Sequence, residues 1–274
     1  MKLLYTVTTP DAFSDRVLAW KSPLEQTFAA LSDVGYDGVE IMVRHPESID
    51  PAALNRLLAQ HHLVAPIVGT GPIGLGRNLS LSAADAAVRT QAIGAARQAI
   101  EFCAGIGAML NIGQFRGASR DPVEQKGMPE RFAGSLQELL VTAEASGVRI
   151  ALEPQNRFQS TFLRTIAETL SFVETIGSPR LGLVVDSFHM NIEESDFCEP
   201  LRRAGERVFH VHFADNQRGA PGTGHIPFDR IVQTLREIRY AGSISLEVEQ
   251  VPTPAEAARS AIEGARRFVQ EEFA

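Results

Sequence analysis

The stretch LGLVVDSFHMNIEESDFCEPLRRAGERVFHVHFAD (181–215) reads as an apolar strand, a helical segment and a second strand. LGLVVD is a continuous apolar run ending on Asp186, and VFHVHFAD (208–215) is a second such run that carries two histidines. Runs with no polar alternate face suit parallel strands buried on both sides. The same unit recurs along the chain. Candidate strands fall at Leu3–Thr8, Gly38–Val43, Val64–Gly69, Met109–Phe115, Val148–Glu153, Leu181–Asp186, Val208–Phe213 and Ser243–Glu249, with helical patterns between them. In the third of these, Val88, Ala92, Ala96, Ile100 and Cys103 form one apolar stripe at helical spacing. Ser22-Pro23 opens the first helix with Pro in its first turn and Gly35 closes it, while Gly147 and Gly177 end the helices before two later strands.

Eight strands alternating with helices in 274 residues predict an α/β fold, a (β/α)8 TIM barrel forming a single domain over residues 1–274. A doubly wound sheet would need a topological switch point and usually a glycine-rich first turn. The first connection, TTPDAFSDRVLAWKSP (8–23), has no glycine. The glycine-rich GTGPIGLG (69–76) is expected to be a flexible loop at the barrel mouth rather than a phosphate cradle.

Composition narrows the class. Apolar residues make up 44% and charged residues 22%, which is ordinary for a soluble globular enzyme and too apolar for a disordered chain. No apolar run reaches the roughly 18 residues of a membrane span, and the start MKLLYTVTTPDAFSD reads as a first strand rather than a secretion signal. The net charge of −7, without a basic block, gives no attraction to nucleic acid or anionic lipid. Cys103 and Cys198 lie far apart with no CxxC spacing, as expected of incidental thiols in the cytoplasm.

A barrel of this kind places its chemistry at the C-terminal ends of its strands, above an interior of branched apolar side chains. Four consecutive candidate strands deliver ionisable groups there. VRIALEP (148–154) ends near Glu153, LGLVVD ends on Asp186, VFHVHFAD offers His210 and His212 on one side, and SISLEVE (243–249) offers Glu247 and Glu249. Alternation does not choose within either pair. Carboxylates converging on a water-poor mouth repel unless protonated or neutralised by a cation. One imidazole with three carboxylates is a donor set for one divalent metal ion, Mn²⁺ first, with Mg²⁺ or Co²⁺ also suited.

At these residues the chain resembles the sugar isomerase/epimerase family with a xylose-isomerase-like barrel, and within it the ketose 3-epimerases and keto-sugar-acid epimerases. The resemblance rests on LEPQNRF (152–158), VVDSFHMNIEE (184–194), HVHFADNQRGAPGTGHIPFD (210–229) and SLEVE (245–249), and extends to GYDGVEIMVRHP (35–46). It implies that Glu153, Asp186, His212 and Glu247 hold the cation, and that His189 and Arg218 contact the sugar near its carbonyl. The family often carries Glu where this chain has Gln159, an amide that can hydrogen-bond a hydroxyl but cannot act as a base.

The expected chemistry is proton transfer beside a ketone through an enediolate, with Glu153 and Glu247 as the catalytic pair on opposite faces of a small sugar or sugar acid. Return of the proton to the former carbonyl carbon would instead make the enzyme an aldose–ketose or hydroxypyruvate-type isomerase. Arg44 and Arg116, just beyond strands two and four, are expected to bind a carboxylate or phosphate of the substrate. Trp20 and Lys21 are read as a wall over the sugar, and His225 as a loop residue near the mouth. A metal-dependent abasic-site endonuclease would need more histidine ligands and a basic face. A non-catalytic sugar-binding barrel would be expected to lack some metal carboxylates. Association of two or four copies through the outer helices is also expected.

Overall fold

Parallel pairing of eight short strands closes into a barrel in the computed structural model, which describes residues 1–12 and 17–270. The strands are β1 Lys2–Thr8, β2 Gly38–Met42, β3 Val64–Gly69, β4 Met109–Ile112, β5 Ile150–Leu152, β6 Leu181–Asp186, β7 Val208–Phe213 and β8 Ser243–Leu246. β1 pairs with β8 in register Tyr5↔Leu246, which leaves no open edge. The outer helices follow in turn: α1 Leu24–Val34, α2 Pro51–Gln60, α4 Ala86–Ile106, α6 Met128–Ala145, α7 Ile166–Ile176, α9 Cys198–Ala204, α10 Phe228–Glu237 and α11 Pro254–Gln270. Three short helices, α3 Gly71–Arg77, α5 Pro122–Gln125 and α8 Ser187–Glu193, lie in the loops that follow β3, β4 and β6.

Local chemistry explains the boundaries. Asp85 caps α4 by accepting from the Ala87 amide, and Gly107 ends it in the left-handed region. Thr165 and Glu168 form a reciprocal capping box on α7. Gly35 and Gly177 end α1 and α7 in the same left-handed conformation. Pro23 sits at the N-cap of α1, one position earlier than the expected first turn.

The glycine-rich segment is not a flexible loop. Residues 71–77 form α3, with Pro72 in the first turn and Asn78 in a left-handed cap. Gly74 permits this, because a Cβ there would stand 3.0 Å from the Phe115 Cα. Close packing on the 114–116 turn thus outweighs the poor helix propensity of three glycines.

Two apolar shells meet at the sheet. The larger fills the space between strands and helices. The smaller, Leu4, Ile67, Met109, Ala151 and Val184 with Phe209 packed against it, plugs the barrel interior. The expectation of an apolar interior therefore holds only for the lower part. Above the plug lies a buried polar layer that includes Glu40, His210 and Ser245.

Phe132 of α6 stacks on Phe172 of α7 at 5.6 Å and meets Phe162 edge-on at 5.9 Å, with no exposure. Phe132→Ala is expected to cost about 3–5 kcal/mol of stability, seen as a lower urea midpoint with an unchanged slope.

Candidate active site

Glu153, Asp186, His212 and Glu247 meet at the C-terminal rim, where each offers one donor atom and the four atoms all lie within 4.8 Å of one another. Asp186 and His212 are direct partners in the β6–β7 ladder. Glu153 and Glu247 lie one residue beyond β5 and β8, shorter strands than the sequence suggests. Their amides continue the pairing, Glu153 donating to the Ile112 carbonyl at 3.2 Å and Glu247 to that of Phe213 at 3.2 Å. This backbone pairing fixes both carboxylates on the rim.

Close approach of backbone makes room for them. A Cβ at Gly113 would fall 2.4 Å from Glu153 Oε2 and 2.7 Å from the Gln155 amide nitrogen. Only glycine leaves that corner open for the hydrogen bond from Gln155 Nε2 to Glu153 Oε2, 3.0 Å long.

His212 is oriented from below. Its Nε2 lies 2.8 Å from Glu40 Oε2, while its buried Nδ1 has no hydrogen-bond partner. That nitrogen faces Glu153 Oε1 at 3.2 Å, Glu247 Oε2 at 3.8 Å and Asp186 Oδ2 at 3.9 Å. A buried imidazole nitrogen without a partner, aimed at three carboxylates and backed by a fourth, is the arrangement of a histidine metal ligand with its orienting carboxylate. The four residues fit a divalent cation on that observation. His210 lies deeper: it contacts Ser245 at 2.7 Å and Ser243 at 3.3 Å, and its Nε2 stands 3.5 Å from Glu40 Oε2, so Glu40, His210 and His212 form a second buried cluster of possible ligand groups below the rim.

Asp186 serves two purposes. Its Oδ1 accepts from the Phe188 and His189 amides and caps α8, while Oδ2 faces Arg218 Nη1 at 2.8 Å. The same Nη1 lies 2.9 Å from Glu247 Oε2. Burial alone would raise the Asp186 carboxyl, but Arg218, His189 and His212 hold it down at about 2. Glu247 goes the other way, up to about 8, because burial and the neighbouring Glu153 and Asp186 outweigh Arg218 and His212. For His212, burial disfavours the imidazolium, yet Glu40, Glu153 and Glu247 hold it well above its ordinary range.

Arg218 reaches the site from a strained loop. Its backbone is left-handed, with φ 56°, a conformation that costs about 1–3 kcal/mol outside glycine. Asp215 maintains it by accepting from the amides of Asn216, Gly222, Gly224 and Ile226. The guanidinium also lies 4.2 Å above the Phe188 ring.

His189, on α8, is buried beside these groups. Asn156 Oδ1 accepts from the Phe158 amide at 3.0 Å, which turns its Nδ2 toward His189 Nδ1 at 2.8 Å. Nδ1 is therefore the acceptor and the ring proton is assigned to Nε2. The 3.3 Å approach of Arg218 Nη2 to that nitrogen is then a contact between two donors rather than a hydrogen bond. Burial lowers the His189 pKa to about 4, so the ring is a neutral donor.

The cavity above these groups has a volume of about 540 Å³, counting open solvent space, and Glu153, His189, Gln159, Arg218 and Glu247 line it. Gln159 accepts from Gln114 Nε2 at 3.1 Å. The two arginines expected to bind an anionic substrate are not there. Arg116 is 1% exposed and donates to the carbonyls of Gly113, Glu153 and Leu163. The β4 ladder stops at Ile112, and the tight turn at 114–116 directs this side chain inward, where it anchors the loop that carries Glu153. Arg44 donates to the Gly76 carbonyl at 2.8 Å and ties α3 to the rim. Trp20 packs edge-on against Tyr5 and donates to Ser22, so it forms no wall of the cavity. His225 is exposed and contacts Asn191.

Three residues escaped the sequence reading. Glu40 interrupts the apolar strand GVEIM, a detectable signal when whole strands rather than strand ends are inspected. Asp215 follows the histidine strand directly, and Asn156 lies within LEPQNRF, but their roles depend on loop amides that no spacing reveals.

Residues 28–268 match the xylose isomerase-like TIM barrel family. The chain is 32% identical over 235 residues to the L-ribulose 3-epimerase of Mesorhizobium japonicum, covering 83% of this chain and 76% of that one. Its fold is similar to a D-psicose 3-epimerase crystal structure, with a TM-score of 0.82 and 23% identity over 99% of this chain and 100% of the other. It is also similar to the IOLI protein solved with a bound zinc atom, with a TM-score of 0.79 and 22% identity over the whole of both chains. A closed eight-stranded barrel, four converging ionisable side chains and a family match across most of the sequence agree: the chain belongs to the xylose isomerase-like TIM barrel family.

Proposed function

We propose that this chain is a divalent-metal-dependent sugar epimerase that inverts the carbon beside the carbonyl of a ketose. The observation that carries the reading is the partnerless His212 Nδ1 facing Glu153, Asp186 and Glu247. The kinship with an L-ribulose 3-epimerase supports the same class of isomerase. Glu153, Asp186, His212 and Glu247 would hold the cation. Mn²⁺ suits three carboxylates and an imidazole first, with Mg²⁺ and Co²⁺ next; a barrel of similar fold has been solved with a bound zinc atom. When bound, the cation supplies Lewis-acid stabilisation of negative charge on the substrate oxygen.

The protein's own groups divide the remaining work. Glu153 and Glu247 stand just beyond β5 and β8, three strands apart around the ring, so a sugar between them would meet a carboxylate on each face. One takes the proton from the carbon, and the other, having taken up a proton from solvent on its outer oxygen, gives that proton to the opposite face, which inverts the centre; exchange of both carboxyls with solvent then resets the pair. His189 donates its Nε2 proton to a substrate oxygen, and Arg218 balances negative charge at Asp186 and Glu247. Two carboxylates on opposite walls favour inversion at one carbon over transfer to the neighbouring carbon, the isomerase outcome. With Arg44 and Arg116 spent on backbone carbonyls, an uncharged ketose fits better than a keto-sugar acid. The net charge of −7, without a basic block, speaks against a nuclease that must bind a phosphate backbone.

Three measurements test this reading. Ketoses incubated in D₂O with added Mn²⁺ are expected to gain solvent deuterium at one carbon by NMR, and Glu153→Gln or Glu247→Gln is expected to slow that exchange about 10²–10⁴-fold. Wild-type exchange in either variant would sink the two-carboxylate mechanism. Calorimetric cation affinity is expected to rise between pH 6 and 8, with proton release. The metal-free site holds protons on Glu247, whose carboxyl is raised to about 8, and on His212, and both must leave before ligation. A pH-independent affinity would contradict the assigned ligands. Finally, Glu40→Gln is expected to weaken cation binding by about 10–100-fold while the fold persists by circular dichroism.

A further inference from the structure

The mouth of the barrel is larger than its reacting end requires. A second, open cavity of about 1550 Å³, counting solvent space, adjoins the one above Glu153 and Glu247. Leu18, Leu75, Gln114, Gln159 and Arg218 line both, so the two are chambers of one passage with these side chains at the neck. A ligand with its carbonyl between Glu153 and Glu247 directs its far end past this neck.

The outer chamber combines two kinds of surface. Leu79, Ala118, Phe158 and Phe188 supply apolar faces, while Ser80 and Asn78 supply hydrogen-bonding groups. Phe158 is 71% exposed although it stands at the rim of the cavity. An uncovered aromatic face beside hydroxyl and amide groups matches a sugar ring, which presents C–H groups on its faces and hydroxyls around its edge. The neck is neutral and polar. Gln114 donates to Gln159, a bond that does not use the Gln114 amide oxygen or the Gln159 amide nitrogen, and both residues line the two chambers.

Charge decides the class of substituent. Among the described residues that line either chamber, Arg218 is the only cation, and its Nη1 is held by Asp186 and Glu247. Glu249 also lines the outer chamber. A phosphate or carboxylate there would meet Glu249, and the one guanidinium among the described lining residues is already paired with two carboxylates. We propose that the outer chamber is a binding subsite for an uncharged glycosidic substituent, so that the preferred substrate is a ketose carrying a second sugar ring. This rests on the ketose-epimerase reading of the inner site.

The test compares D-fructose, isomaltulose (fructose with a glucosyl group on its sixth carbon), lactulose (fructose with a galactosyl group on its fourth carbon) and fructose 6-phosphate. The readout is solvent deuterium incorporation by the Mn²⁺-loaded enzyme. At least one glycosyl ketose is expected to show a kcat/KM about tenfold or more above that of D-fructose, and fructose 6-phosphate to fall below it. Ala118→Trp, at an exposed position on the outer wall, is expected to remove the glycosyl advantage through KM while D-fructose exchange stays within about twofold. If that variant fails to fold, Phe158→Ala makes the same comparison from an exposed position. Exchange of D-fructose with no preference for either glycosyl ketose overturns the subsite and leaves the epimerase reading standing. A preference for the phosphate overturns the charge argument and the proposal with it. No exchange with any ketose overturns the epimerase reading and, with it, the subsite.

Discussion

Three carboxylates forced together at the top of a closed sheet are the constraint around which this molecule is arranged. Glu153, Asp186 and Glu247 would repel one another in so buried a place unless positive charge stood among them. Arg218 supplies part of it, bridging Asp186 and Glu247 through one nitrogen. His212 supplies another part when protonated, and a divalent cation would replace that proton when it binds. Glu40, with no exposure, bears on the opposite side of the imidazole and so sets the direction in which its free nitrogen points.

Much of the polar structure around the site keeps these few atoms in place rather than touching substrate. Arg116 clamps the Glu153 carbonyl at 2.6 Å. Asp215 gathers four backbone amides so that Arg218 can persist in an unfavourable conformation. Asn156 sets which ring nitrogen of His189 carries the proton. Each holds a group through buried hydrogen bonds whose loss would leave polar atoms unpaired, and this is why so wet a set of residues can sit in a rigid frame.

The strands were legible because most of their residues are buried on both faces and therefore read as largely apolar runs, interrupted at few points such as Glu40, His210 and His212. The metal-ligating candidates were legible because ionisable groups ending such runs stand out. Other features were hidden in kind. A guanidinium beyond a strand end looks the same in sequence whether it faces a ligand or folds back on carbonyls. Arg116 does the latter because the tight turn after β4 directs it inward, and Arg44 because the Gly76 carbonyl of α3 lies within its reach. The segment around Gly74 looked mobile because helix propensity is local, whereas the packing on Phe115 that makes it helical is not.

Chain order and hydropathy alone determined the alternation of strand and helix, the closure into a barrel and the rim on which acids and histidines collect, since burial on both faces is written into each segment. The tertiary structure decided the finer matters: His212 rather than His210 at the rim, Glu40 behind it, and arginines turned away from the cavity. Those depend on distances between strands remote in sequence, and the Coulomb and hydrogen-bond terms that govern them change sharply over an ångström or two.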